Sequence, residues 1–449
     1  MDYVQRVLET QAKYKQSQPE FYQAVAEVFN SLKPLLNRDN FYARHKILER
    51  MLIPERLIRF RVVWVDAKDE IQVNTGYRVQ FNSAVGPYKG GIRFHPSVNT
   101  SIIKFLGFEQ VFKNSLTGLA IGGGKGGSDF NPKGRSDNEI MRFCQAFMTE
   151  LFRYVGPTVD VPAGDVGVGA REVGYLYGQY KRITARHEGV LTGKGIHYGG
   201  SLARKEATGY GAVYFAQNML AARGESLEGQ VCTVSGAGNV AIYTVDKLRQ
   251  VGALPVTVSD SKGMIHHPAG IDLQALKQVK ETEKASLTRY KELCPEAAYI
   301  PVEKYLAGRN AVWNIPCKAA FPCAVQNELN REDAGELLKN GCRCVTEGAN
   351  MPSTQEAVDA FLEAKIAYAP GKASNAGGVA VSQLEMAQNA SMNPWTFETV
   401  DEMLQRIMMG IFQNAYETAK EFGEPTNLVL GANIAGFRKV AQCMIDQGL

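Results

Sequence analysis

Val231-Cys232-Thr233-Val234-Ser235-Gly236-Ala237-Gly238-Asn239-Val240-Ala241 is the stretch on which the fold turns. A short β-favouring run leads directly into a glycine-rich bend, and apolar residues at helical spacing then continue through Val251. Strand, tight turn and helix in that order form the first βα unit of a dinucleotide-binding fold. Gly236 and Gly238 permit the bend and the close approach of a pyrophosphate, which sits on the free amides of the helix start. The third glycine of the pattern is replaced by Ala241. Ser235, Gly236, Ala237, Gly238, Asn239 and Val240 are therefore the candidate cofactor contacts. The short motif alone also describes any βα turn, and it gains weight here from Asp260. That residue ends the next strand candidate, Val256-Thr257-Val258-Ser259, at the distance of a ribose-binding acid. Asp260 by itself favours NAD, because a carboxylate repels a 2′-phosphate. Ser261 and Lys262 follow at once and can donate to that phosphate, so these residues leave the choice between NAD and NADP open.

Outward from this unit, the texture from about residue 205 alternates helix and strand, with further strand candidates near Val345 and Ala367, which predicts βα units around a parallel sheet. Helices return at 383–389, 400–420 and 434–447. The 449 residues exceed what one hydrophobic core supports, so two domains with a cleft between them are expected. Apolar content of 45% and charged content of 21% are those of a folded soluble chain, and a net charge of +4 argues against a nucleic-acid partner. No run of about 18 apolar residues suggests a membrane span, and the N-terminus lacks the apolar core of a signal peptide. The eight cysteines show no C-x-x-C pair and read as reduced thiols in a cytoplasmic protein. His266 and His267 lack a partner at metal-ligand spacing, so they read as a solvated turn and no metal is expected.

The first half opens with helical periodicity to about residue 55 and then alternates over 57–65 and 71–73, which predicts a hairpin. Helices are expected over 101–116 and 136–155, the second opening on the capping box Ser136-x-x-Glu139. Between them runs Gly122-Gly123-Gly124-Lys125-Gly126-Gly127-Ser128, assigned to a loop. It is no P-loop: Leu119 stands where the first glycine belongs, and Gly126 replaces the hydroxyl. A catalytic lysine in a tight pocket and a merely flexible loop both fit this segment. Lys89 in Gly86-Pro87-Tyr88-Lys89-Gly90-Gly91 and Lys113 also occupy glycine-rich or apolar settings. Three lysines converging on one site would suit a small dianion and lower one another's pKa. Asp165, in the loop from Asp160 to Gly169, is either an acid for that site or a turn-forming residue.

Taken together, Tyr77 to Pro96, Lys104 to Lys113, Gly122 to Phe130, Asp160 to Gly169, Glu206-Ala207-Thr208-Gly209-Tyr210-Gly211, Glu347-Gly348-Ala349-Asn350-Met351-Pro352 and Asn375-Ala376-Gly377-Gly378-Val379 resemble the hexameric glutamate dehydrogenases over essentially the whole chain. The resemblance implies an α/β protein of two domains. A substrate-binding and oligomerisation domain with a mixed sheet would span 1–202, joined by a C-terminal helix at 426–449, and a Rossmann-like dinucleotide-binding domain would span 203–425. It implies reversible oxidative deamination of L-glutamate to 2-oxoglutarate and ammonium by a homohexamer. Lys89 and Ser382 would hold the side-chain carboxylate, and Gln110 and Lys113 the α-carboxylate, with Gly90, Gly91, Gly164 and Val379 beside the substrate. Lys125 would activate water and Asp165 would move protons at the nitrogen. Thr208, Asn350 and Asn375 would join the cofactor contacts. Lys133 and Ser261 resemble the NADP-using members, so NADP is the expected cofactor, with NAD or both as the alternative. Lys205 departs from the proline of the family. An apolar amino acid would leave Lys89 and Ser382 unpaired, which disfavours the related branched-chain and phenylalanine enzymes; the Lys125 and Asp165 motifs weigh against a catalytically silent nucleotide-binding protein.

Overall fold

The computed structural model describes residues 2–448, which divide into two compact units: one of residues 2–204, 379–400 and 433–448, the other of 205–378 and 401–432. Residues 379–400 thus fall in the first unit, whereas the sequence placed them in the second domain, and the C-terminal return begins at 433 rather than 426.

In the first unit, the N-terminal helical region is a series of short helices, α1 (Tyr3–Gln11), α2 (Pro19–Ser31), α3 (Lys33–Leu36), α4 (Phe41–Arg44) and α5 (Ile47–Leu52). The predicted hairpin is β1 (Arg56–Val65) with β2 (Ile71–Asn82), and it is followed by β3 (Tyr88–Phe94), α6 (Thr100–Leu116), β4 (Gly123–Ser128), α7 (Asp137–Leu151), β5 (Asp160–Gly164) and α8 (Ala170–Thr184). The expected capping box starts α7: Ser136 accepts from the Glu139 amide, and Glu139 accepts from the Ser136 amide. The mixed sheet runs β1-β2-β4-β3-β5, antiparallel through β1, β2 and β4 and parallel from β4 through β3 to β5.

The glycine-lysine segment is therefore a strand at the centre of this sheet, not a loop. A Cβ at Gly126 would lie 3.2 Å from Arg78 Cδ, and one at Gly90 would lie 1.7 Å from the Gly124 carbonyl oxygen. With no side chain at Gly90, Gly124 and Gly126, β3 and β4 approach the Arg78 guanidinium, which forms a fully buried two-point ion pair with Asp160 (2.8 and 2.5 Å) and donates to the Gly90 carbonyl at 3.0 Å. The supposed loop 160–169 is likewise strand β5 first, with the turn confined to Asp165 onward.

The second unit contains α9 (Ala207–Ala221), β6 (Val231–Val234), α10 (Asn239–Gln250), β7 (Leu254–Pro255), β8 (Thr257–Asp260), β9 (Gly263–His266), α11 (Leu273–Lys277), α12 (Thr288–Leu293), β10 (Ala298–Pro301), β11 (Ala319–Phe321), α13 (Arg331–Lys339), β12 (Cys344–Thr346), α14 (Gln355–Glu363), β13 (Ala367–Ala369) and α15 (Gly371–Ser374). Strands β13-β12-β11-β6-β7 form the expected parallel sheet. The strand ending at Asp260 leaves that sheet for an antiparallel ribbon β10-β9-β8. Hydroxyls replace part of the ladder, since the Val234 and Gly236 amides donate to Thr257 Oγ1 and Ser259 Oγ, both at 2.9 Å. The last helices are α16 (Gly377–Ser391), α17 (Phe397–Glu421) and α18 (Leu428–Gln447).

Candidate functional site

Pairing of β3 with β4 and β5 places the chemistry-bearing residues of the first unit in neighbouring positions. Ile92 pairs with Gly126 and Gly91 with Ala163, which sets Lys89, Lys125 and the end of β5 along adjacent parallel strands. Asp165, one residue past β5, accepts from Lys125 Nζ at 3.2 Å and from Arg93 Nε at 2.8 Å. Burial raises the pKa of this carboxyl, but Lys125 and Arg93 prevail and hold it below the usual range. For Lys125, burial is the larger effect and lowers the ammonium despite the attraction of Asp165. Lys113, on α6, is brought down to about 8, by burial first and by Lys125 next. Asp165 is thus the shared acceptor of two cations and not simply a turn former. Gln110, also on α6, donates to Asn114 Oδ1 at 2.7 Å, and Asn114 in turn donates to the Lys89 carbonyl at 3.0 Å.

Lys89 is 1% exposed. Its ammonium donates to Thr192 Oγ1 at 2.7 Å and has no carboxylate in ion-pair contact among the described residues. Burial, with Arg204 as the next contribution, lowers its pKa strongly. Ser382, expected as its companion, accepts from Arg204 Nε at 3.0 Å. Thr192 and Arg204 were not singled out from the sequence; they come from segments without a motif, and only the fold identifies them. Gly90 and Gly91 serve packing directly: a Cβ on Gly91 would lie 2.8 Å from Asp165 Cβ, and one on Gly164 2.4 Å from the Val168 carbonyl oxygen. Val379 lies in the first turn of α16.

In the second unit, Gly236 has φ +83° and sits against the backbone at Cys323, where a Cβ would be 3.0 Å from the carbonyl oxygen. Gly238 is the N-cap of α10 without a side-chain cap, and its surroundings are open to 4 Å. That combination, a bend only glycine adopts beside uncapped helix amides, fits a pyrophosphate. Ser235 is engaged by the Cys323 amide at 2.9 Å, and Asn239 donates to the Lys205 carbonyl at 2.6 Å, leaving Ala237 and Val240 to offer backbone. Thr208 lies in the first turn of α9, while Asn375 donates to Asn350 Oδ1 at 2.9 Å. Asp260 is tied back into the protein. It accepts from the Lys262 amide at 2.9 Å and the Leu287 amide at 3.1 Å, with Lys280 Nζ at 3.5 Å. Ser261 and the Lys262 side chain are exposed beside it. Lys133 is exposed on a turn of the first unit, where its amide donates to Asn131 Oδ1.

Two family models match, the Glu/Leu/Phe/Val dehydrogenase dimerisation domain over residues 54–182 and the glutamate/leucine/phenylalanine/valine dehydrogenase model over 199–448. The chain is 64% identical to an NADP-specific glutamate dehydrogenase of Helicobacter pylori over 447 residues, 100% of each to the nearest percent. It is 53% identical to an NAD(P)-specific glutamate dehydrogenase of Xylanibacter ruminicola over 432 residues, 96% of each. The solved glutamate dehydrogenase of Plasmodium falciparum superposes with a TM-score of 0.96 at 52% identity, covering 99% of this chain and 94% of that one. This chain belongs to the glutamate/leucine/phenylalanine/valine dehydrogenase family.

Proposed function

We propose that the protein is an NADP-linked glutamate dehydrogenase, catalysing reversible oxidative deamination of L-glutamate to 2-oxoglutarate and ammonium. The observation that carries this reading is Lys89, a buried cation whose direct partner is a hydroxyl. A cation so placed is costly unless a ligand supplies the counter-charge. The distal carboxylate of glutamate does so, bonded by Lys89 with Thr192, Ser382 and Arg204 around it; an apolar side chain would leave this group unpaired. Gln110 and Lys113 bind the α-carboxylate. Lys125, with its pKa lowered, takes a proton from the water that attacks the substrate imine, and Asp165 carries protons at the substrate nitrogen. When bound, NADP supplies the hydride acceptor. Gly236, Gly238 and the start of α10 hold its pyrophosphate, with Thr208, Asn350 and Asn375 toward the reacting end. Ser261 and Lys262 take the 2′-phosphate, because the charge of Asp260 is already met by two amides and Lys280.

The NAD(P)-specific relative and the presence of Asp260 favour dual cofactor use as the second reading. We place the enzyme in the cytoplasm on the strength of eight free thiols, and as a homohexamer on the family and on the exposed apolar face of β1 and β2. Among the described residues no helix is long and apolar enough to cross a membrane. The test is the loss of reduced-cofactor absorbance with purified protein, ammonium and 2-oxoglutarate. Oxidation of NADPH in preference to NADH is expected; comparable rates would establish dual use, and no oxidation of either would overturn the glutamate reading.

A further inference from the structure

His267, Cys294 and Glu296 converge in the second unit. Their ligand atoms lie within 4.8 Å of one another, although 27 residues of sequence separate the histidine from the cysteine. His267 is buried rather than part of the solvated turn expected from sequence, and Cys294, which caps the end of α12, is buried too. Glu296 is exposed. His267 Nε2 and Glu296 Oε1 are 3.2 Å apart. Two ligands at about 2.0–2.1 Å in tetrahedral geometry span about 3.3 Å.

A second layer orients these groups. The hydroxyl of the fully buried Tyr290 lies 3.0 Å from His267 Nδ1 and accepts from the Asp272 amide at 2.7 Å. Tyr290 thus engages the Nδ1 side of the imidazole and leaves Nε2 facing Glu296 as the ligand atom, with the second-layer hydrogen bond that histidine ligands have. The Tyr290 side chain also engages Cys294. The Asp272 and Glu296 carboxylates near Cys294 form a negative field that attracts a divalent cation, whose binding releases the thiol proton to solvent.

We propose that His267 Nε2, Cys294 Sγ and a Glu296 carboxylate oxygen form a binding site for a borderline divalent metal ion, Zn²⁺ in class, completed by water on the exposed Glu296 side. Imidazole, thiolate and carboxylate together select such an ion over Mg²⁺ or Ca²⁺. Bound there, it would tie the segment after α12 to the end of β9.

The full-length protein, stripped with chelator, is titrated with Zn²⁺ by calorimetry and with Co²⁺ by absorbance. One ion per chain and a thiolate-to-Co²⁺ charge-transfer band are expected. Cys294→Ser should abolish the band, and Glu296→Gln, at an exposed position that spares folding, should weaken Zn²⁺ binding about tenfold or more. Tyr290→Phe should cost about 10–100-fold in affinity through loss of the orienting hydroxyl. Absence of stoichiometric uptake by the parent would overturn the site, as would uptake and a band unchanged in both Cys294→Ser and Glu296→Gln.

Discussion

Two buried lysines in the first unit show how one residue type serves two ends. Lys194 is matched by Glu385 at 2.8 Å, with both side chains essentially inaccessible, and its charge is spent within the fold. Lys89 has Thr192 instead, so its charge is available to a ligand. Lys89→Met is therefore expected to abolish dicarboxylate binding while leaving stability unchanged or raised by about 1 kcal/mol or more, since it removes a buried cation without a carboxylate partner. Thermal melting and titration with glutarate measure the two effects; a variant that loses stability and binding together would assign Lys89 to the core. Lys113 gives a pH signature. Its pKa of about 8 means that the ammonium is present below that pH and is lost above it. Affinity for glutarate should decline as pH rises through about 8, and Lys113→Met should bind more weakly and lose the part of the decline centred there. Glycine-rich or apolar neighbours marked Lys89, Lys113 and Lys125 as candidates, whereas Asp165 read from its neighbours as well as a turn former and took its expected role from the family resemblance. Arg93 lay inside a quoted motif and still had no assigned role, because its partnership with Asp165 depends on the register of β3 with β5.

At the scale of elements, the dinucleotide turn was readable from sequence because each glycine answers a local requirement. The Gly122–Gly127 segment was not, because its glycines answer contacts with Arg78, Val111 and the neighbouring strands. Strand propensity disfavours glycine, and these close approaches, with the burial of Arg78 against Asp160 among them, explain why the sheet adopts it. Gly90→Ala should cost about 1–3 kcal/mol or more, because its Cβ meets backbone at 1.7 Å. Gly178→Ala, exposed within α8 with nothing inside 4 Å, should gain about 0.5–1 kcal/mol. Denaturant midpoints compare the two, and equal shifts would refute the close-approach account. On the proposed reading, the turn after β8 carries the cofactor preference. Ser261→Ala combined with Lys262→Ala removes charge-assisted bonds to a 2′-phosphate and should raise KM for NADPH about tenfold or more, leaving KM for NADH nearly unmoved. A preference that does not shift would move 2′-phosphate recognition elsewhere.

At the scale of the whole molecule, β1 carries a pattern that one chain does not satisfy. Val62-Val63-Trp64-Val65 is apolar on both faces, as in a strand covered on two sides. Val62 and Trp64 are buried, but Val63 and Val65 are 47% and 38% exposed. Register pairs Val63 with Val73 and Val65 with Ile71, and those partners are 63% and 72% exposed, so the four side chains form one outward apolar patch at a sheet edge. An uncovered edge of this kind invites pairing with another chain. It lies within the residues that match the family's dimerisation domain. Ile71→Lys combined with Val73→Lys places two charges in the patch without touching Val62 or Trp64, so each chain should still fold. The parent is expected to run as a hexamer by light scattering with size exclusion, and the double variant as smaller species with its circular dichroism preserved. A parent that is monomeric, or a variant that keeps the parental mass, would show that this face is not where the copies meet.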